Sequence, residues 1–99
     1  MPSLSVCMMV QNAEKTLTIA LTSLANAYDE LIIVDGGSTD KTCEIAAQYG
    51  ARIIHSPWQG NHSQQRNIYL QEVKTDWVFV IDSDEFIDQK TLDFLQQLN

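Results

Sequence analysis

Short apolar runs that alternate with helix-like segments are the feature of this sequence that most restricts its fold. The clearest runs are LSVCMMV at Leu4–Val10, LIIV at residues 31–34 and WVFVI at residues 77–81, and RIIH at Arg52–His55 is a weaker candidate. Runs of this length without polar alternation are typical of parallel strands that are covered on both faces. The sequence therefore predicts four strands in a parallel sheet.

The first two intervals between these runs carry helical patterns. In the first interval the apolar side chains fall on one helical face, with Asn12 as the expected N-cap and Glu14 at the positive end of the helix dipole. The second interval predicts a short helix that has its cap near Ser38 or Thr39 and ends at Gly50.

Two further helices are expected at about residues 63–73 and 89–98, the second with Leu92, Leu95 and Leu98 facing inward. Strands and helices then alternate along the whole chain. Because crossovers between parallel strands are right-handed, this order predicts an α/β fold. We expect a Rossmann-like parallel sheet with strand order 3-2-1-4, helices on both faces, and one domain over residues 1–99.

The composition argues against several classes of protein. The net charge is −7 and only six residues are Lys or Arg, so the chain lacks the clustered cations that bind nucleic acid. No apolar run approaches the ~20 residues of a membrane-spanning helix, and the N-terminus has no signal-peptide pattern. Cys7 and Cys43 lack the spacing of a metal site and are interpreted as buried free thiols. A cytoplasmic protein fits these features best.

The residues that directly follow the predicted strands are unusually polar. Gln11 and Asn12 follow the first strand, the loop Asp35 to Asp40 follows the second, and an acidic segment that begins at Asp82 follows the last. Ligands of open α/β sheets bind beyond the carboxyl ends of the strands. We therefore expect these polar groups to meet at one edge of the sheet.

Asp82-Ser83-Asp84 is a candidate metal site. Two carboxylates at this spacing can share one divalent ion, and hard cations such as Mg²⁺ and Mn²⁺ prefer oxygen ligands that are often completed by substrate phosphates. The alternative is a solvated turn before the next helix, since acidic residues suit helix starts. The position directly after an apolar strand favours the metal, and both interpretations stay open on these residues alone.

The glycine-containing loop after the second strand is a candidate nucleoside site. Gly36 and Gly37 allow close approach of a ligand, and the Asp35 carboxylate could accept hydrogen bonds from a base or a ribose. The alternative is an ordinary turn with Ser38 or Thr39 as the helix cap. Both interpretations can hold together, because a Ser38 cap would leave the Asp35 carboxylate free.

Other polar residues are less specific. Arg66, near the start of the third helix, could meet a phosphate or a base edge, although a lone arginine is more often a surface residue. His55 and His62 are interpreted as polar loop residues without a metal role. Trp58 is interpreted as a loop anchor, with a pocket wall as the alternative.

Taken in order, the segments VQNAEKTL, IIVDGGSTDKT, GNHSQQRN and VIDSDE resemble glycosyltransferase family 2, a group of inverting enzymes with the GT-A fold. The resemblance covers nearly the whole chain. It implies a nucleotide-diphosphate sugar as donor, commonly a UDP-sugar, together with Mn²⁺ or Mg²⁺.

The resemblance also implies a role for particular residues. Asp35 and Arg66 match positions that contact the nucleoside, and Asn12 and Glu14 match a segment that lines the base and ribose. Asp82 and Asp84 match the Asp-x-Asp pair, in which the second aspartate usually holds the metal directly.

This sequence departs from the family in two ways. Many members carry two successive aspartates where this chain has Asp35-Gly36, which affects the choice of nucleoside. Members also continue well beyond this length, into a half that supplies the acceptor pocket and a carboxylate base. We therefore expect the chain to be the donor-binding half of a GT-A fold, truncated at its C-terminus and inactive alone. Its acceptor and catalytic base stay unassigned, and self-association or peripheral contact with the inner face of a membrane is compatible with this expectation.

Two alternatives remain. One is a non-catalytic nucleotide-binding or interaction module, which the shortness of the chain favours. The other is a phosphatase of the haloacid-dehalogenase type, in which Asp82 would be the nucleophile. That class has Thr or Val two residues after the second aspartate, where this chain has Phe86.

Overall fold

A computed structural model describes residues 2–98, so Met1 and Asn99 of the predicted domain lie outside the described residues. Strands and helices alternate strictly in this part of the chain. The elements are β1 (Leu4–Val10), α1 (Glu14–Ser23), β2 (Glu30–Asp35), α2 (Thr42–Gln48), β3 (Arg52–His55), α3 (His62–Glu72), β4 (Trp77–Val80) and α4 (Gln89–Leu98).

The four strands form one parallel sheet in the order β3-β2-β1-β4, which confirms the predicted topology. β1 is central: Val6 pairs with Leu31 of β2 on one side and with Phe79 of β4 on the other. Val10 pairs with Asp35, and the Gly36 amide donates to the Val10 carbonyl at 2.8 Å. The carboxyl ends of β1, β2 and β4 are therefore neighbours, and the loops that follow them share one edge of the sheet.

The core lies on both faces of this sheet. Side chains alternate along a strand, so Val6 and Met8 pack with Leu17 and Leu21 of α1 in one buried cluster. Cys7, between them in sequence, packs with Tyr69 of α3 in a second cluster on the opposite face. This division confirms helices on both faces. In α4, Leu95 is buried while Leu92 and Leu98 are partly buried against the first cluster, as the sequence predicts.

The predicted helix caps are wrong for α1 and α2. Ala13 is the N-cap of α1, so Asn12 lies outside the helix. α2 begins only at Thr42, whose amide donates to Asp40 Oδ1 at 3.0 Å. The Ser38 hydroxyl instead donates to the Asp35 carboxylate and the Thr39 hydroxyl to Asn12 Oδ1, which is why neither caps the helix.

α3 spans residues 62–72 rather than the predicted 63–73. Its position is fixed by Asn61, whose Oδ1 accepts from the amides of Ser63 at 2.9 Å and Gln64 at 3.3 Å. This cap satisfies two of the amides that a helix start leaves without a partner.

The expectation that the last strand is covered on both faces is wrong among the described residues. β4 ends at Val80, and Trp77, Val78 and Val80 are 50%, 42% and 46% exposed. The reason is its place in the sheet: β4 pairs only with β1 and forms an edge. The apolar composition of β4 resembles that of a central strand. The sequence of a single strand does not show whether that strand has one neighbour or two, so the prediction missed the edge position.

Two expectations based on composition can also be compared with the structure. Both cysteines are free, but only Cys7 is buried, and burial raises the pKa of its thiol to about 12. Cys43 is half-buried. Among residues 2–98, every helix is too short or too polar to cross a lipid bilayer.

Candidate functional site

A groove runs along the carboxyl edge of the sheet and is formed by two clefts. The first, of about 190 Å³, lies beside Gly36, Trp58 and Gln65. The second, of about 420 Å³, lies beside Asn12 and the acidic segment after β4. Met9, Gln11 and His62 line both clefts, so the two join into one strand-end groove.

The acidic turn after β4 leaves its two aspartate side chains available. The Asp82 amide donates to Glu85 Oε1 at 2.9 Å, and the Glu85 amide donates to the Asp82 carbonyl at 3.0 Å, so these two residues close the turn reciprocally. Within residues 2–98, the carboxylates of Asp82 and Asp84 make no hydrogen bond or ion pair, and both residues line the larger cleft. An oxygen-only pair of this kind fits a hard divalent cation.

Asp35 ends β2 directly before Gly36 of the smaller cleft, and several hydrogen bonds hold its carboxylate. It is only 3% exposed, and its carboxylate accepts hydrogen bonds from the Gly37 amide at 3.3 Å and from the Ser38 hydroxyl at 2.5 Å. The Ser38 amide donates to the same carboxylate at 3.2 Å. Burial alone would raise the pKa of Asp35, but these hydrogen bonds outweigh burial and hold the pKa below its usual value.

The expectation that a Ser38 cap would leave the Asp35 carboxylate free is therefore wrong. Ser38 bonds to Asp35 with both its amide and its hydroxyl rather than capping α2. Asp35 thus organises its own loop, and any ligand contact would have to use the acceptor capacity that remains on a carboxylate with about four lone pairs.

Asn12 joins the loops that follow β1 and β2. Its backbone adopts φ +51°, a left-handed conformation that asparagine tolerates better than most residues. The backbone amide of Asn12 donates to Ser38 Oγ at 2.9 Å, and its side-chain Oδ1 accepts from the backbone amide of Thr39 at 2.8 Å. Within residues 2–98 its side-chain nitrogen makes no hydrogen bond and remains available as a donor beside the larger cleft.

Asp35, Arg66 and Glu14, which the sequence also placed at the site, are not among the residues that line the two clefts. Arg66 is exposed on α3, close to the buried Tyr69 hydroxyl. Burial raises the pKa of Tyr69, and the nearby Arg66 guanidinium partly offsets that rise. The Glu14 amide donates to Asp40 Oδ2 at 3.2 Å, so its backbone helps to hold the loop before α2.

The sequence predicts close approach of a ligand at Gly36, but it does not single out His62 or Gln65 as groove residues, and it favours an anchor role for Trp58. In the structure the Trp58 and His62 rings meet edge to face, 4.8 Å apart. Gln65 is buried, and its side chain donates to the Ser56 carbonyl at 3.0 Å. The available signal was position: this segment follows β3, so it returns to the same edge of the sheet.

Gly36 explains how the chain accommodates its departure from the two-aspartate pattern. A Cβ added at Gly36 would lie 3.4 Å from Trp58 Cβ and 3.5 Å from Gln65 Nε2. Trp58 and Gln65 therefore lie at van der Waals distance from the place where a second carboxylate would begin. The smaller cleft is bounded here by an aromatic ring and an amide instead of an acid.

Alanine substitutions at Gly36 and Gly37 should distinguish two effects on stability: the room available for a side chain at Gly36 and the backbone strain at Gly37. Gly36→Ala should change the free energy of unfolding by less than about 1 kcal/mol, because its Cβ makes only ordinary contacts. Gly37→Ala should cost about 1–3 kcal/mol, because Gly37 has φ +112°. Urea denaturation of the two variants measures both values. A larger cost at Gly36 than at Gly37 would contradict this account of the loop.

Comparison with protein families matches residues 5–97 to the model of glycosyl transferase family 2. The chain belongs to this family. An uncharacterized glycosyltransferase of Rickettsia typhi is 35% identical over 98 residues, which are 99% of this chain and 33% of that protein. Family 2 membership confirms the resemblance seen in the sequence motifs and favours glycosyl transfer over the phosphatase alternative.

Solved structures of similar architecture support the assignment to this family. Staphylococcus aureus TarS in complex with UDP, solved over its residues 1–349, has a TM-score of 0.73 and 31% identity, covering 93% of this chain and 30% of that chain. Glucosyl-3-phosphoglycerate synthase from Mycobacterium tuberculosis, in complex with Mn²⁺, UDP and glucosyl-3-phosphoglycerate, has a TM-score of 0.72 and 27% identity. That match covers 86% of this chain and 36% of the synthase.

The chain is short beside its relatives. It spans about a third of the Rickettsia typhi protein and 42% of a similar glycosyltransferase from Haemophilus influenzae, to which it is 36% identical. The family 2 segment therefore corresponds to one part of those proteins, and their complete activities concern more sequence than is present in this chain.

Proposed function

We propose that this chain is the donor-binding part of a metal-dependent, inverting glycosyltransferase that uses a UDP-sugar. The observation that carries the proposal is the pair Asp82 and Asp84. Their carboxylates have no hydrogen bond or ion pair within residues 2–98, yet they line the same groove as the loop after β1. A mainly apolar cleft beside Gly36 continues that groove.

The groove divides into two chemical regions that suit the two ends of a nucleoside diphosphate. Trp58, Met9 and Gly36 give the smaller cleft an apolar lining that fits a nucleobase. The larger cleft has the carboxylates of Asp82 and Asp84, which suit a metal-neutralised diphosphate. UDP and Mn²⁺ in the complexes of similar proteins support this assignment.

We assign the metal to Asp84 and Asp82, with Asp84 as the direct ligand. A bound Mn²⁺ or Mg²⁺ would offset the negative charge of the diphosphate as it becomes the leaving group. The protein's own contribution is to position these carboxylates: the reciprocal Asp82–Glu85 hydrogen bonds fix the turn without using either aspartate carboxylate.

In the reaction, the acceptor oxygen bonds to the anomeric carbon while the bond from that carbon to the diphosphate breaks, with inversion. The acceptor hydroxyl gives its proton to a base, a contribution typically of ~10²–10⁴-fold in rate. We assign no residue of this chain to that role. Asp35 and Arg66 are proposed to contact the nucleoside, and Asn12 and Glu14 to line the base and ribose.

Chemical-shift mapping of the isotopically labelled chain tests the proposal. UDP with Mg²⁺ should shift the amide signals of Gly36, Trp58, Asp82 and Asp84, while those of α4 stay in place because α4 does not line either donor cleft. Mn²⁺ in place of Mg²⁺ should broaden the signals around Asp82 and Asp84 first. GDP serves as the comparison nucleotide.

The outcomes separate the parts of the proposal. Tighter binding of GDP than of UDP would overturn the uridine assignment. Shifts centred on α4, or the absence of any metal-dependent response to either nucleotide, would overturn the donor site itself. Binding without turnover in a longer protein that contains this chain would favour the non-catalytic module.

A further inference from the structure

Three potential metal ligands of different chemistry meet beside the strand-end groove. They are the Asp35 carboxylate at the end of β2, the Cys43 thiol in the first turn of α2 and the His55 imidazole at the end of β3. One ligand atom from each residue lies within 4.8 Å of the other two. Asp35 Oδ2 and His55 Nδ1 are 3.4 Å apart.

We propose that Asp35, Cys43 and His55 form a binding site for a borderline divalent ion of the Zn²⁺ class. Thiolate and imidazole ligands select Zn²⁺ and similar ions, whereas carboxylate-only sites suit Mg²⁺ and Mn²⁺. The chain would then have two metal sites of different preference: a hard one at Asp82 and Asp84, and a softer one here.

One ligand of this site is held in place and another is open to solvent. The Asp35 carboxylate is held in place by Gly37 and Ser38, so it needs no rearrangement to serve as a ligand. Its contact with His55 is long, and an ion between the two would replace it. The His55 side chain is 70% exposed, which gives an ion a path from solvent and leaves room for water as a fourth ligand.

The Cys43 thiol is half-buried and free, and one ligand atom each of Asp35 and His55 lies within 4.8 Å of its sulfur. The thiolate is the form of cysteine that binds metals, so the thiol proton would leave to solvent as the Cys43 sulfur bonds to the ion.

Occupation of this site would have a consequence for the donor site, and this step rests on the proposed function. Both the metal site and the proposed nucleoside contact use the Asp35 carboxylate. A bound ion would occupy the oxygen lone pairs that the nucleoside would otherwise use. The geometry therefore points to antagonism, in which a Zn²⁺-class ion weakens UDP binding although it lies apart from Asp82 and Asp84.

Co²⁺ is the probe, because a cobalt–thiolate bond gives an intense near-ultraviolet charge-transfer band that oxygen ligands do not give. The reduced wild-type chain should acquire this band on Co²⁺ addition and lose it when Zn²⁺ is added. Cys43→Ser and His55→Gln should lose or strongly weaken the band, while Cys7→Ser and Asp84→Ala keep it. Circular dichroism of each variant establishes that it is folded.

Absence of the band in the folded wild-type chain would overturn the site, as would a band retained in Cys43→Ser. The antagonism is measured separately, by UDP binding in Mg²⁺ with and without one equivalent of Zn²⁺. Unchanged UDP affinity in the Zn²⁺-loaded chain would overturn the antagonism. If the Zn²⁺-free chain binds no UDP in Mg²⁺, the proposed function and the antagonism both fall, while the metal site stands or falls on the cobalt band.

Discussion

Replacing Asp84 with alanine should weaken metal-dependent UDP binding by more than about 100-fold. Loss of a residue that only supports a metal ligand typically costs about 10–100-fold in metal affinity, so loss of a direct ligand should cost more. The fold should survive, because the Asp84 carboxylate makes no hydrogen bond or ion pair within residues 2–98 and the turn is closed by Asp82 and Glu85. Isothermal titration of UDP in Mn²⁺ measures the loss.

Asp93→Ala is the matched control. It removes the same charge from an exposed position of α4, where Asp93 Oδ1 accepts a hydrogen bond from the Gln89 side chain at 2.8 Å. UDP affinity should change by less than about twofold in this variant, since exposed charges interact weakly across solvent. Equal losses in the two variants would mean that Asp84 acts through net charge rather than as a metal ligand.

The second large effect is expected at Asp35, on stability. Asp35→Asn should lower the free energy of unfolding at pH 7 by about 2–4 kcal/mol. The substitution replaces one carboxylate oxygen, which accepts hydrogen bonds, by an NH₂ group, which would face the donating amides of Gly37 and Ser38. A loss of this size is a large part of the stability of a small domain. Urea denaturation measures it, with Asp93→Asn as the control that should stay within about 0.5 kcal/mol.

This effect should depend on pH with a defined sign. The pKa of Asp35 is lowered in the folded chain, so its ionised form stabilises the fold above the unfolded-state pKa of about 3.9. That contribution is lost as the pH falls through the lower folded-state pKa. The difference between the wild type and Asp35→Asn should therefore shrink as the solution is acidified below about pH 4. A constant difference across this range would contradict ionisation as the source of the effect.

The fold could be predicted from the sequence because its determinants are local and repeated. Each apolar run marks a strand, each interval is long enough for one helix, and the handedness of crossovers then leaves few topologies. The same reasoning placed Asp82, Asp84 and Asn12 at one edge of the sheet, since parallel strands bring their carboxyl ends together. Their roles toward a nucleotide remain predictions.

What the sequence could not predict depends on tertiary partners. Ser38 is a plausible helix cap by its position, yet it bonds to Asp35, and only the folded loop decides between the two. β4 has the composition of a covered strand but forms a sheet edge. Asp35, Cys43 and His55 come from three separate elements, so no short spacing in the sequence announces that they meet.

The hydrogen bonds of Asn12 order one wall of the groove more than the other before any ligand binds. Through Ser38 and Thr39 they couple the loops after β1 and β2, so the conformational entropy of that wall is given up during folding. Within residues 2–98, the side chains of Asp82, Asp84 and Glu85 make no such bond to the neighbouring loops, and the turn is closed only on itself. Ligand association should therefore meet a preorganised base-side wall, and its ordering cost should fall mainly on the metal-side turn.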